Sequence, residues 1–152
     1  MEKFNTFYED MPAVWGDNYS VTSEIGKLRT VMVHRPGKEI ENITDPGAIY
    51  FRDFIDVDKA RWEHDQLVKV YKDHGVTVYN VDETDPGCPN AMYCHDLILG
   101  TPEGVIITRP GIKIRHNEVK YVAQEAARHG VPIVRTVHGN GRNRLPLQSG
   151  RS

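Results

Sequence analysis

The stretches "YKDHGVTVYNV" (71–81) and "AARHGVPIVRT" (126–136) decide how this chain is read. Each ends a helical pattern at His-Gly-Val and then enters a run of strand formers. Gly75 suits the left-handed residue that closes the first helix, and the second stops at Gly130. The two His-Gly pairs stand at 74 and 129, an offset of 129 − 74 = 55 residues. A repeat of that length is a supersecondary unit.

Upstream of the first pair, Val57, Ala60, His64, Leu67, Val68 and Tyr71 recur at helix spacing, with Asp53 or Asp56 placed to cap the start. Before them, "KLRTVMVHRPG" (27–37) has a β-branched centre and stops at Pro36-Gly37, so it reads as a strand; "TDPG" (44–47) is a turn. Upstream of the second pair, Val119, Val122, Ala123, Ala126 and Ala127 mark a helix. "AMYCHDLILG" (91–100) and "GVIIT" flank "TPE" and read as a hairpin. "VPIVRT" (131–136) is a strand whose Pro132 points to an edge or an early position. The expected fold class is therefore α/β, with two strand–strand–helix–strand modules. Such a unit cannot bury both faces alone, so it needs neighbours. Two units leave open faces, and the expectation is a homo-oligomer or membership of something larger.

Bulk properties narrow the function classes. With 152 residues, 39% hydrophobic and 26% charged, the chain suits one soluble domain. A net charge of −2 argues against nucleic acid or an anionic membrane as general partners. No apolar run approaches the roughly 20 residues of a membrane helix. "MEKFNTFYEDMP" lacks the apolar centre of a secretory signal, and Cys88 and Cys94 lack CxxC spacing, so reduced thiols in the cytoplasm are expected. Residues 1 to about 25 show little period, and their aromatics (Phe4, Phe7, Tyr8, Trp15, Tyr19) are expected to lie on a surface. Residues 1–139 form the expected domain. Residues 140–152, "NGRNRLPLQSGRS", carry three arginines and no acid and read as an irregular tail.

Candidate chemistry centres on "PNAMYCHD" (89–96). Read as a strand, it points Cys94 and Asp96 to one face and His95 to the other. There is no second Cys/His cluster to complete a metal site, so neither a metal nor a metal-assisted hydrolase using Cys94 and His95 is favoured. Cys94 as a nucleophile would need a base and a thiolate-stabilising partner; a structural cysteine fits mid-strand burial better. Asp96, among strand formers, is costly to bury unpaired. It is either a turn carboxylate bonded to backbone or a ligand for a cation, and a planar guanidinium suits a single fixed carboxylate best.

Three stretches resemble the N-terminal part of the guanidino-group modifying (pentein) superfamily of arginine deiminases, dimethylarginine dimethylaminohydrolases and amidinotransferases. They are "LRTVMVHRPGKE", "IYFRDFIDVDKARWEHDQLVKVYKDHGVTV" and "PNAMYCHDLILGTPEGVIITRPGIKIRHNE", within roughly residues 24–139. In the second module the family has an Asn, an aromatic three residues on, an Arg-Asp pair, and about twenty residues later an Arg followed by a Glu. The resemblance implies a five-bladed α/β propeller of which this chain supplies two modules. It implies that Asp96 grips a substrate guanidinium, that Tyr93 packs on the planar group, that Asn90 and Arg115 face the substrate's polar end, and that Asp53 sits at the pocket mouth. The implied partner is a small, arginine-like guanidino compound, with no cofactor and no metal. His95 replaces the family's Arg, and Arg52-Asp53 replaces a pair of acids often found in the deiminases. Both loosen the substrate assignment.

In the family a cysteine thiolate attacks the guanidinium carbon and a histidine serves as acid and base. The chain has no Cys after Cys94 and no Asp or Glu after Glu125. The expectation is a substrate-binding part of an arginine deiminase or amidinotransferase, inactive alone, with a truncation or frame change after "GNG". The competing expectation is a non-catalytic module that binds a cation or self-associates.

Overall fold

The computed structural model describes residues 5–16, 19–82 and 84–139. The irregular tail expected at 140–152 lies outside them. The order is α1 (Phe7–Val14), β1 (Thr30–Val33), α2 (Val57–Asp73), β2 (Thr77–Asn80), β3 (Ile98–Thr101), β4 (Gly104–Ile107), α3 (Val119–Arg128) and β5 (Ile133–Thr136). It is a mixed α/β arrangement with small sheets.

β1 and β2 pair in parallel, from Thr30 opposite Thr77 to Val33 opposite Asn80. β3 and β4 form the expected hairpin, from Ile98 opposite Ile107 to Thr101 opposite Gly104. β5 joins β4 in parallel, with an irregularity between Val105 and Ile106. The second half is thus strand–strand–helix–strand. The first half departs from that expectation: among the described residues its sheet has two strands, β1 and β2.

The repeated His-Gly-Val closes both helices in one way. Gly75 and Gly130 sit at φ 73° and 69°. The Gly75 amide donates to Lys72 O and the Val76 amide to Tyr71 O; Gly130 and Val131 do the same to Ala127 and Ala126. This pairing satisfies carbonyls the helix would leave open. At the other end of α2, Asp56 is the cap, its carboxylate accepting from the Lys59 amide at 2.9 Å.

Two expectations fail. Residues 7–14 are helical rather than irregular. Thr6 accepts from the Glu9 amide, and the Glu9 carboxylate accepts from the Thr6 amide, a reciprocal cap that starts α1. Residues 91–97 are not strand. The Ala91, Tyr93 and Leu97 amides bond three residues back, to Cys88, Asn90 and Cys94, and Cys94–Asp96 is a single 3-10 turn. The two-face partition of Cys94, His95 and Asp96 therefore does not apply, because it needs strand geometry.

The core lies between the halves. Val81, Cys94, Leu97 and Val122 form one buried cluster, and Val105, Ile107 and Ala126 another. Met32 from β1 and Ile98 from β3 touch both. Burying a Leu or Val in this way stabilises by about 1.5–3 kcal/mol each. α3 buries Val122, Glu125 and Ala126, whereas α2 buries no residue fully.

Candidate functional site

The loops before β3 and after β4 converge on one concave site. The turn chemistry of "DPGCPN" brings the chain round so that Asn90 is buried, its amide donating to Ile49 O at 3.3 Å. Asp96 closes the 3-10 turn, and its backbone carbonyl accepts from the Thr108 hydroxyl across the hairpin. That bond ties the turn to the residue that follows β4. Arg115 closes a second 3-10 turn, Lys113–Arg115, just before α3. A cavity of about 280 Å³ results, bounded by Ile49, Phe51, Asn90, Tyr93, Asp96 and Arg115, among others.

Tyr50 also borders it, in a left-handed conformation at φ 66°. That backbone costs roughly 1–2 kcal/mol for a residue with a Cβ. It is held by the Tyr50 amide on Gly47 O and the Phe51 amide on Pro46 O. Phe51 meets the Tyr93 ring edge-on, centroids 6.4 Å apart.

The charged groups form a chain. Arg115 is 7% exposed. Its Nη1 donates to Asp96 Oδ2 at 2.5 Å and its Nε to Glu118 Oε2 at 2.8 Å. Nη2 donates to the Tyr93 carbonyl at 3.1 Å and more weakly to Asn90 O at 3.4 Å. The guanidinium carbon lies 5.9 Å from the Tyr93 ring centre, within cation–π reach. Burial pushes the Arg115 pKa down, but the carboxylates of Asp96 and Glu118 outweigh it and hold it above the usual arginine value. Burial drives the Glu118 carboxyl up, against the pull of Arg115. Glu118 Oε1 is enclosed with no hydrogen bond.

Of the five residues expected at the site, Asn90, Tyr93, Asp96 and Arg115 border this cavity. Asp53 does not; its carboxylate accepts from the neighbouring Phe54 amide at 2.7 Å. Asp96 is bonded through its carboxylate to a guanidinium, and that guanidinium is the chain's own Arg115. Burial raises the thiols of Cys88 and Cys94 to about 11 and about 12, with the Glu118 charge adding to both, so neither is a thiolate at neutral pH. Glu118, Tyr50 and Phe51 were not singled out from the sequence as site residues. The i, i+3 spacing of Arg115 and Glu118 was the signal for the first. Among the described residues, no group of three or more Cys, His, Asp or Glu is placed to hold a metal, and no helix is long and apolar enough to cross a membrane.

No family model matches the chain. Arginine deiminase from Pediococcus pentosaceus is 53% identical over 60 residues, which is 38% of this chain and 15% of that protein. Arginine deiminase from Mycoplasma capricolum subsp. capricolum is 46% identical over 66 residues, 42% of this chain and 16% of that protein. A dimethylarginine dimethylaminohydrolase variant from Pseudomonas aeruginosa, complexed with citrulline, superposes with a TM-score of 0.59 at 20% identity over 74% of this chain and 42% of that one. These likenesses bear out the resemblance to the guanidino-group modifying superfamily. The chain matches the superfamily's N-terminal part and spans well under half the length of these relatives. An AgrE variant in complex with L-arginine gives a TM-score of 0.58 at 18% identity, over 75% of this chain and 18% of that one. At such identities the likeness to the solved superfamily members is one of fold.

Proposed function

We propose that this chain is the N-terminal substrate-binding part of a guanidine-modifying enzyme of arginine deiminase or amidinotransferase type. The observation that carries the reading is the convergence on one cavity of Asn90, Tyr93 and Asp96, from one loop, with Arg115, 19 residues after Asp96. The ligand is a small guanidino compound. Asp96 takes its guanidinium, Tyr93 packs on the planar group, and Asn90 and Arg115 face its polar end. Asp53, which does not border the cavity, is assigned to its mouth by the family resemblance alone. The relatives support the ligand class, since two of the superposed structures hold citrulline and L-arginine. We further propose that the two halves are propeller modules within a domain spanning 1–139, and that the site lies in the cytoplasm, a location that two buried free cysteines suit.

The covalent step needs a thiolate, and Cys88 and Cys94 are buried and protonated. The chain alone is therefore inactive. The test is calorimetric titration of the 152-residue chain with L-arginine, alongside product assays with arginine, agmatine and guanidinoacetate. Binding that is lost in Asp96→Asn, with no product, is the expected result. Turnover overturns the inactivity, and absence of binding overturns the site.

A second reading, a self-assembling module, is favoured by one observation. All four residues of β5 are exposed, and Ile133 and Val134 present apolar side chains beside an unpaired edge. Under this reading the chain is a homo-oligomer whose open faces pair. A monodisperse monomer in sedimentation analysis removes it.

A further inference from the structure

A guanidinium ligand on Asp96 must compete with one that is already there. Arg115 and Asp96 alone would be a neutral pair, with little left to attract a cation. Glu118 changes the count. Asp96, Arg115 and Glu118 together carry a formal charge of −1, and a ligand guanidinium brings the group to neutrality. Glu118 lies behind Arg115, its side chain fully buried, and does not border the cavity. We propose that Glu118 is the positioning residue that holds Arg115 in the wall of the cavity and so leaves the charge of Asp96 for a guanidinium ligand. The inference rests on the guanidinium-site reading above and adds a role to a residue that touches no ligand.

Three observations carry it. Glu118 takes the Nε–H of Arg115, the donor that points away from Asp96, so the two carboxylates do not compete for one N–H. The carbonyls of Tyr93 and Asn90 hold Nη2, so Arg115 keeps partners on two of its three nitrogens when Nη1 leaves Asp96. Glu118 Oε1 is buried without a hydrogen bond, a costly condition that a shifted guanidinium would relieve by making a bidentate pair. The enclosed carboxylate caps no amide of α3, and the Asn90 backbone amide steadies it beside Arg115.

The test is an NMR titration of the full chain with methylguanidinium chloride, read on the Arg115 Nε–H signal, with methylammonium chloride as the control. The wild type saturates with methylguanidinium while the Nε–H stays protected from exchange. Glu118→Gln keeps the shape and removes the charge; with a charge lost this close in a half-buried site, affinity falls roughly tenfold or more. Glu118→Asp recovers part of the loss, which a packing role would not predict. Equal affinity in the wild type and Glu118→Gln overturns the proposal. If the wild type does not bind methylguanidinium, or Glu118→Gln does not fold, Asp96→Asn decides. Failure of the wild type to bind counts against the guanidinium site, whereas the Arg115 Nε–H signal in Asp96→Asn reports on Glu118 alone. A signal as protected as in the wild type supports Glu118 as the holder of Arg115; a signal lost to solvent exchange overturns it.

Discussion

His74 and His129 occupy the same place in two copies of one local pattern, and they are used differently. His74 Nδ1 donates to Val70 O of its own helix at 2.8 Å and stays exposed. His129 pairs with Glu125 Oε1 at 2.8 Å and stacks flat on Tyr79 of β2, with centroids 3.5 Å apart and planes within 8°. The helices differ in the same sense. α3 packs on both buried clusters, while α2 covers the two-stranded sheet with half-buried residues. Local signals set where each helix ends. Tertiary neighbours set what the helix is worth, and the second half has more of them.

The largest expected effect tests that difference directly. Leu97→Ala empties a fully enclosed site in the shared core and is expected to cost about 2–5 kcal/mol. Val68→Ala, on the half-buried face of α2, is expected to cost about 1 kcal/mol or less. Denaturant melts of the two variants check this, and equal losses would erase the contrast between the halves.

The next effect sharpens it, because the first half has a buried His34–Glu39 tie of its own. His34 Nδ1 donates to Val81 O at 2.5 Å and Nε2 to Glu39 Oε1 at 3.1 Å. Both partners are acceptors, so both ring nitrogens carry protons. Burial pulls the His34 pKa down, yet the Glu39 and Val81 bonds leave it raised. Burial likewise pushes Glu39 up, yet His34 and the Gly37 amide leave it lowered. A raised His34 stabilises fully below its ordinary 6.5 and is lost as pH rises through the folded value. A lowered Glu39 stabilises fully above its ordinary 4.5 and is lost as pH falls through the folded value. The pair is therefore worth most between pH 4.5 and 6.5. Glu39→Gln is expected to lose about 3 kcal/mol there. Urea melts from pH 4 to 9 should show that loss shrinking toward the alkaline end.

The smallest effect concerns the two histidines. His129→Ala removes a ring stack and is expected to cost about 1 kcal/mol. His74→Ala, on an exposed helix end, is expected to cost within about 0.5 kcal/mol. Thermal melts of the pair show whether the bridge to Tyr79 stabilises the protein.

Much of this was legible in the chain. The ends of α2 and α3 follow from Gly75 and Gly130, and the β3–β4 hairpin from the apolar runs around "TPE". α1 was missed because Pro12 and the absence of an apolar period argue against helix, although Thr6 and Glu9 spell a capping box. Residues 91–97 were misread because Tyr93 and the apolar run that follows at Leu97, Ile98 and Leu99 suggest one continuous strand, while the turn formers before them, Pro86, Gly87, Pro89 and Asn90, set up successive three-residue turns. Four cavity residues could be named from family resemblance. That Arg115 already sits on Asp96 could not, since the two stand 19 residues apart and meet only because two loops fold onto one hairpin.

Gly104 closes the hairpin at φ 140°, and a Cβ there would meet the backbone carbonyl of Pro132, the same oxygen that accepts from the Val105 amide. The approach of β5 to β4 is thus written into one missing methyl group. In a mutational library, position 104 would tolerate almost nothing, while Gly111 and Gly139, which face open space, would accept side chains freely. Variation in this chain is therefore rationed by backbone proximity, and a silent-looking glycine, buried at the start of β4, is one of its least replaceable letters.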